Sequence, residues 1–278
     1  MAVSSENGER VCLDGERVNP GFQRAIDRTL ETYRDNRWLI EEYWPVFAPH
    51  VRRMVSDLER RLLRLEGARV LDVGCFNGYV GCLLTHLGCR VTGADAFLPP
   101  ESARIFRQTG MEFLEVNLNF LEPFREVDSE SFDAIIIAQV IEHVLNHPLG
   151  LLRDLYRLLK PGGVLILTTP NPSTLMNAVR LLRGTYSLWG TPAFIDEPKL
   201  NGGEVIAKAD IHYREYSRDE LRHLLDGARF RVEEARYLRL GTARSEGRLR
   251  TLVKGFPLFE RLSATRLLGS SHYVVARK

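Results

Sequence analysis

The sequence predicts an α/β fold built on an open, doubly wound, mostly parallel sheet, and three observations carry that expectation. The first is the unit at residues 69–95, where a buried strand, a turn with Gly74 and Gly78, a helix and a second strand ending at Asp95 succeed one another. The second is the run Phe132-Asp133-Ala134-Ile135-Ile136-Ile137-Ala138, whose apolar continuity fits a central strand covered on both faces. The third is the stretch after that run: an amphipathic helix over Leu149 to Leu159, a Lys160-Pro161-Gly162-Gly163 stop, and a strand over Val164–Thr169. Strands alternating with helices in this way assemble parallel sheets with helices on both faces.

Taken in order, residues 1–19 are polar and mixed in charge, have little to bury, and are expected to be disordered; they lack the apolar core of a secretion signal. From Pro20 to Leu65 the spacing is helical, with Phe22, Ile26, Leu30 and Tyr33, then Val51, Met54, Leu58 and Leu62, three or four residues apart. These helices precede the first strand and form a cap over residues 20–66. Their aromatic cluster Tyr33, Trp38, Tyr43 and Trp44 offers either a substrate wall or core, and core is the commoner use of such a face. The core unit spans 67–170 and includes a strand over Met111–Val116. An irregular stretch, 171–211, carries one helical pattern over Leu175 to Leu182 and is then punctuated by Gly184, Gly190, Pro192, Pro198, Gly202 and Gly203. Its length and its place beyond the carboxyl ends of the strands mark it as a lid over that edge of the sheet. The remainder, 212–278, holds a helix beginning near Ser217, strands over Val232–Leu238 and Ser271–Ala276, and a helical pattern over Phe256–Leu268.

The turn in the first unit has chemical content. Gly74 and Gly78 allow a tight bend and a close backbone approach. Asp95, 17 residues beyond Gly78, ends the next strand, where a carboxylate accepts hydrogen bonds from two ribose hydroxyls. Together they imply an adenosine-containing cofactor, although glycines serve turns in general and Asp95 alone could cap a helix. A dinucleotide turn wants glycine at the middle position, and Phe76 there argues against a pyrophosphate.

Residues 68–170, with their four motifs in this order, resemble the class I S-adenosylmethionine-dependent methyltransferases. The likeness resumes at His212–Glu234, where His-Tyr-Arg-Glu-Tyr-Ser-Arg-Asp-Glu-Leu leads into a helix and a strand. The resemblance implies a Rossmann-like sheet of seven strands with the last antiparallel. It implies S-adenosyl-L-methionine as cofactor, with Asp72, Gly74, Phe76 and Gly78 around its methionine end, Asp95 on its ribose, Asn117 and Leu118 near its adenine, and Gln139 beside it. The family commonly has glycine at the place of Phe76 and an acid at the place of Asn117, whose amide oxygen can accept the same hydrogen bond.

Composition narrows the setting. The chain has 278 residues, 44% of them hydrophobic, which suits one domain with a lid. Its 38 basic and 36 acidic side chains leave a net charge of +2, so no global field draws nucleic acid or an anionic membrane. Cys12, Cys75, Cys82 and Cys89 show no metal spacing and read as packing residues in a reducing, cytoplasmic protein. No apolar run approaches a membrane span.

A hydroxyl acceptor must lose a proton to be methylated, and a base is expected just after the fourth strand. Gln139-Val140-Ile141-Glu142-His143 stands there and resembles the Glu-x-x-Glu-His segment of two metal-dependent branches, the ubiquinone-pathway O-methyltransferases and the small-RNA 3′-terminal 2′-O-methyltransferases. Glu142 and His143 match, His212 is a downstream partner, and Gln139 replaces the first acid. Three readings stay open: the trio binds Mg²⁺ or a similar ion; a histidine acts without metal as base or orients the acceptor; or Glu142 and His212 are structural. His50, His86, His147, His223 and His272 read as structural or surface groups.

The leading expectation is O-methylation of a small-molecule hydroxyl, phenolic, quinone-like or on a sugar. An RNA methyltransferase is the alternative, motivated by the metal-site likeness and by arginines at 229, 231, 236, 239, 244, 248 and 250. Interleaved Glu233, Glu234 and Glu246 make a solvated surface the commoner meaning of those arginines, and nucleic acid is not the expected partner. A cofactor-binding scaffold without catalysis is the third possibility, prompted by Phe76 and Gln139.

Overall fold

The computed structural model describes residues 20–120, 122–145, 147–184, 212–239 and 265–278. It also describes two short antiparallel ladders, β1 (Val3–Ser4) with β2 (Arg10–Val11), and β8 (Leu200–Asn201) with β9 (Glu204–Val205). The rest of the expected disordered segment, most of the expected lid and most of the expected helix over 256–268 lie outside the described residues. Of that last stretch, 265–268 form a turn.

The N-terminal helical region resolves into α1 (Pro20–Thr32), a single wide turn over Leu39–Tyr43 and α2 (Trp44–Arg61). The sheet beyond it has seven strands in the order β10-β11-β7-β6-β3-β4-β5. They are β3 (Arg69–Val73), β4 (Arg90–Asp95), β5 (Glu112–Glu115), β6 (Phe132–Ala138), β7 (Leu159–Pro170), β10 (Arg231–Leu238) and β11 (Ser271–Arg277). Five run parallel, from β5 across to β7, and the last strand, β11, is antiparallel to both of its neighbours. Helices α3 (Tyr79–His86), α4 (Pro100–Thr109), α5 (Pro148–Leu158) and α7 (Arg218–Gly227) accompany it, and α6 (Leu175–Leu182) comes after β7.

Side-chain alternation explains why the strands read as continuous apolar runs. Val70, Ala134, Ile136, Val164 and Ile166 point to the face packed by α1, α2, α3 and α4. Leu71, Val73, Ile135, Ile137, Leu165 and Leu167 point to the face packed by α5 and α7. Both faces are dry, so each position of period two is apolar. The expected stop at 160–163 is a bulge within β7: Phe132 pairs with Leu159 and Ala134 with Val164, so Lys160 to Gly163 loop out.

Helix ends are set locally. Ser217 and Glu220 form a reciprocal capping box on α7, and His147 Nδ1 accepts the Gly150 N–H at the start of α5. The cap helices are fastened to the far strands by a buried ion network. Asp57 on α2, with no exposed surface, accepts from Arg53 at 2.8 Å and from Tyr273 Oη of β11 at 2.7 Å, and also from Arg60 and Arg61. Arg53 and Arg61 in turn reach Glu234 of β10, at 2.9 and 3.0 Å.

The chain runs outward through β3, β4 and β5, then crosses back to β6 and β7 on the other side of β3. The crevice at such a reversal, outside the carboxyl ends of β3 and β6, is where open α/β sheets bind ligands.

Candidate active site at the carboxyl edge of the sheet

The turn after β3 is held from behind. The N–H groups of Gly74 and Cys75 donate to Ala94 O at 2.7 and 3.2 Å. Gly74 and Gly78 have φ of 68° and 79°, and a Cβ at either would run into the Val140 side chain or the Phe106 ring. Both glycines thus answer to turn conformation and to protein packing around it. Phe76 also lies in the left-handed region, with φ of 51°, a conformation that costs a non-glycine residue about 1–2 kcal/mol.

Asp95 is oriented by that turn. Its Oδ2 accepts the Phe76 N–H at 2.8 Å and its Oδ1 the Ala96 N–H at 2.7 Å, and each oxygen keeps a lone pair for a hydroxyl. Burial raises its pKa. Asp72, at the end of β3, is 4% exposed, and its Oδ2 has no hydrogen-bond partner. Burial first, and the Asp95 charge second, push its carboxyl up to about 7. A buried carboxylate left one partner short beside a glycine turn fits a cationic ligand such as S-adenosylmethionine, with its ammonium and sulfonium charges.

The aromatic cluster divides between core and site. Tyr33 is buried, and its hydroxyl donates to Asn77 O at 2.7 Å, bracing the turn. Trp38 is 50% exposed and meets the Phe76 ring at 6.1 Å, while Tyr43 lies 6.3 Å from Phe76 and 5.2 Å from Tyr79. At the other end of the crevice, Asn117 is exposed beyond β5 and its Oδ1 accepts the Asn119 N–H at 3.0 Å, with half-buried Leu118 beside it.

On the acceptor side, Gln139 is a second residue of positive φ, 57°. Its N–H donates to Thr168 O at 2.8 Å and its Nε2 to Thr168 Oγ1 at 3.1 Å, so the amide is engaged with β7. Glu142 and His143 lie in one short helical turn, Ile141–His143. The segment carrying His212 docks on that turn through the Tyr213 and Arg214 N–H groups, which donate to Glu142 O at 2.9 and 3.3 Å. Ligand atoms of Glu142, His143 and His212 consequently all lie within 4.8 Å of one another, with the two imidazoles 4.9 Å apart. His212 Nδ1 is also 3.0 Å from Glu215 Oε1.

Glu142 has no exposed surface; Thr169 Oγ1 donates to its Oε2 at 2.9 Å and its Oε1 has no partner. Burial pushes its carboxyl up to about 7. A cleft of about 490 Å³ opens where Val144 and Leu145 succeed His143 and where Tyr213 succeeds His212, with Tyr216 and Leu224 on its walls. The contacts of Thr169 with Glu142 and of Trp38 with Phe76 are placements that the sequence does not reveal. A threonine at the end of a buried strand is the faint signal for the first.

Of the other histidines, His147 caps α5, His86 Nε2 lies 3.6 Å from Cys82 Sγ, His223 Nδ1 lies 2.7 Å from Asp219 O, and His50 and His272 are buried, which drives each down to about 4. Arg231 and Arg236 are ion-paired with Glu233 and Glu234, whereas 244, 246, 248 and 250 lie outside the described residues. Among the described residues no helix is long and apolar enough to cross a membrane.

Comparison with known proteins agrees with this geometry. The family model described as "Methyltransferase domain" matches residues 47–235. A ubiquinone biosynthesis O-methyltransferase of Xanthomonas oryzae pv. oryzae is 33% identical over 127 residues, 45% of this chain and 52% of that protein. The protein of the same name in Xanthomonas campestris pv. campestris is 29% identical over 183 residues, 61% of this chain and 73% of that one. The chain thus spans about half the length of the first of these relatives. Among solved structures, a SAM-dependent methyltransferase from Archaeoglobus fulgidus aligns with a TM-score of 0.51 at 18% identity, covering 82% of this chain and 94% of that one. The Burkholderia thailandensis 1,6-didemethyltoxoflavin-N1-methyltransferase, solved with S-adenosylhomocysteine, aligns with a TM-score of 0.51 at 21% identity, covering 100% and 98%. Both show the same fold.

Proposed function

We propose an acceptor chemistry from the premise that this chain belongs to the methyltransferase-domain family, as an S-adenosylmethionine-dependent enzyme of class I. The reading is O-methylation of a small-molecule hydroxyl. The observation that carries it is the convergence of Glu142, His143 and His212, with one carboxylate oxygen buried and unpartnered, beside the crevice that faces Asp72 and Asp95.

The donor's sulfonium already activates the methyl carbon, so it supplies the electrophile. The protein's share is to hold the acceptor oxygen in line, exclude water and accept a proton. Turnover of a hydroxyl forms an oxygen–carbon bond, breaks the sulfur–carbon bond, leaves the electron pair on sulfur and releases the hydroxyl proton. In this reading Glu142 and the two histidines hold that oxygen and receive that proton.

A divalent cation held by Glu142, His143 and His212 would lower the pKa of the acceptor hydroxyl. One carboxylate and two imidazoles suit an ion that takes mixed nitrogen and oxygen ligands, such as Mn²⁺, better than Mg²⁺, which prefers oxygen ligands alone, and the amide of Gln139 is committed to Thr168. In the metal-free reading a histidine is the base or orients the acceptor, and Glu142, whose carboxyl burial pushes up to about 7, is a further group that could take the proton.

The test is methyl transfer to a panel of phenols, sugars and amines, in chelator and after adding back Mn²⁺ or Mg²⁺. The expected result is methylation of a hydroxyl acceptor that falls in chelator and recovers more in Mn²⁺ than in Mg²⁺. Turnover unmoved by chelator removes the cation and leaves the base; methylation confined to amines overturns the O-methylation reading.

A further inference from the structure

We propose that Phe76, with Trp38 and Tyr43, forms an aromatic wall that senses the positive charge on the donor's sulfur, so that the pocket favours the charged donor over its neutral demethylated product. The inference rests on the cofactor reading above and assigns a binding residue at a position where the backbone by itself calls for glycine.

Position comes first. The sulfur of the donor joins its ribose to its methionine chain. Phe76 stands between Gly74 and Gly78, the turn expected at the methionine end. Its N–H donates at 2.8 Å to Asp95, the carboxylate expected on the ribose. A residue that spans both subsites lies beside the atom that joins the two halves of the ligand.

Conformation points the same way. The Phe76 φ of 51° belongs to the region glycine enters freely and a phenylalanine resists. Strain of this kind persists where the surroundings impose it, and it gathers at functional sites. Core packing does not account for the ring, because Phe76 is 50% exposed. What the ring does have is company. Trp38, equally exposed, meets it edge-on at 6.1 Å and 78°, and Tyr43 stands at 6.3 Å. All three project from elements otherwise anchored in the core, Tyr43 against Tyr79 and the cap helices through Asp57. Buried Asp72, two residues before Gly74, lies in the strand that leads into the turn carrying Phe76.

Aromatic faces attract cations, more strongly where water is excluded, and offer a neutral thioether only contact. Methyl transfer converts the one into the other. A pocket with this wall therefore loosens its hold as the charge disappears, which assists product exchange.

Calorimetric titration of the whole chain with S-adenosylmethionine and with S-adenosylhomocysteine tests this without reference to turnover. Phe76→Leu keeps bulk and removes the ring face; Phe76→Tyr keeps the face; Phe76→Gly removes both ring and strain. The Leu variant should bind the charged donor about five- to tenfold more weakly and the neutral product less than about twofold more weakly. The Tyr variant should keep the wild-type ratio of the two affinities. The Gly variant should lose the ratio while its Tm rises, which separates binding from folding. A Leu variant that weakens both ligands equally, or neither, overturns the proposal while leaving the cofactor reading intact. Wild-type protein that binds neither ligand overturns both.

Discussion

Two regions of this molecule bury carboxylates, and they treat them in opposite ways. Asp57, beneath the cap helices, is saturated: Arg53, Arg60, Arg61 and Tyr273 all donate to it. Burial alone would raise its pKa, but the hydrogen bonds from Arg60, Tyr273 and Arg53 hold it below the usual carboxylate range. Asp72 and Glu142, at the carboxyl edge of the sheet, are also buried, yet each keeps an oxygen without a partner, and each is pushed up to about 7. The first arrangement spends every acceptor on the fold. The second leaves acceptors unsatisfied, as a site that must receive a cation or a proton requires.

Glu142→Gln should show the contrast most strongly. If this carboxylate takes the proton or holds a cation, turnover falls by about 10²–10⁴-fold. Stability should hold or improve, because a neutral amide replaces an uncompensated buried charge. Loss of Tm together with turnover would move Glu142 into the structural class and erase the distinction.

Asp57→Asn should do the reverse. Removing the shared carboxylate of a buried ion network leaves Arg53 and Arg61 to Glu233 and Glu234, and a loss of about 3 kcal/mol in denaturant unfolding is expected, with donor affinity of the folded fraction retained. A variant that unfolds normally but no longer binds the donor would mean that the network serves the site directly.

Asp72→Asn separates the two regions through pH. The folded pKa of Asp72, about 7, lies above its ordinary value of 3.8, so the folded state favours the protonated form. Its cost to stability is absent below about pH 4, grows as pH rises through the interval, and is complete above about pH 7. A tenfold difference in proton affinity between the folded and unfolded chain corresponds to about 1.36 kcal/mol, so the Asn variant should match wild type near pH 4 and exceed it by about 2–4 kcal/mol at pH 8. Wild-type affinity for the cationic donor should rise over the same range as Asp72 ionises, and that of the variant should not. Parallel stability curves for the two proteins would show that Asp72 is compensated in the free protein after all.

Much of the frame is legible in the chain. The apolar runs at 69–73 and 132–138 and the glycines at 74 and 78 are local signals, written in neighbouring residues by periodicity and turn chemistry. Strand number, the antiparallel β11 and the fold class come from the family likeness that those motifs carry, and the sheet bears them out. The bulge at 160–163 looks like a stop in sequence, because a Pro-Gly-Gly segment breaks periodicity whether the chain turns or merely loops out of register. The role of Trp38 is hidden for a different reason. An aromatic on a helical face looks the same in sequence whether its face meets the core or a crevice.

The order of elements, the glycine turn after β3 and the residue types at the strand ends were settled by the sequence alone, since each depends on residues close together in the chain. The fold alone decided which groups would meet: Glu142 and His143 with His212, Phe76 with Trp38, Asp57 with Tyr273. It also decided which carboxylates would be satisfied. Protonation and binding depend on burial and on partners distant along the chain, and these exist only once the helices have packed on both faces of the sheet.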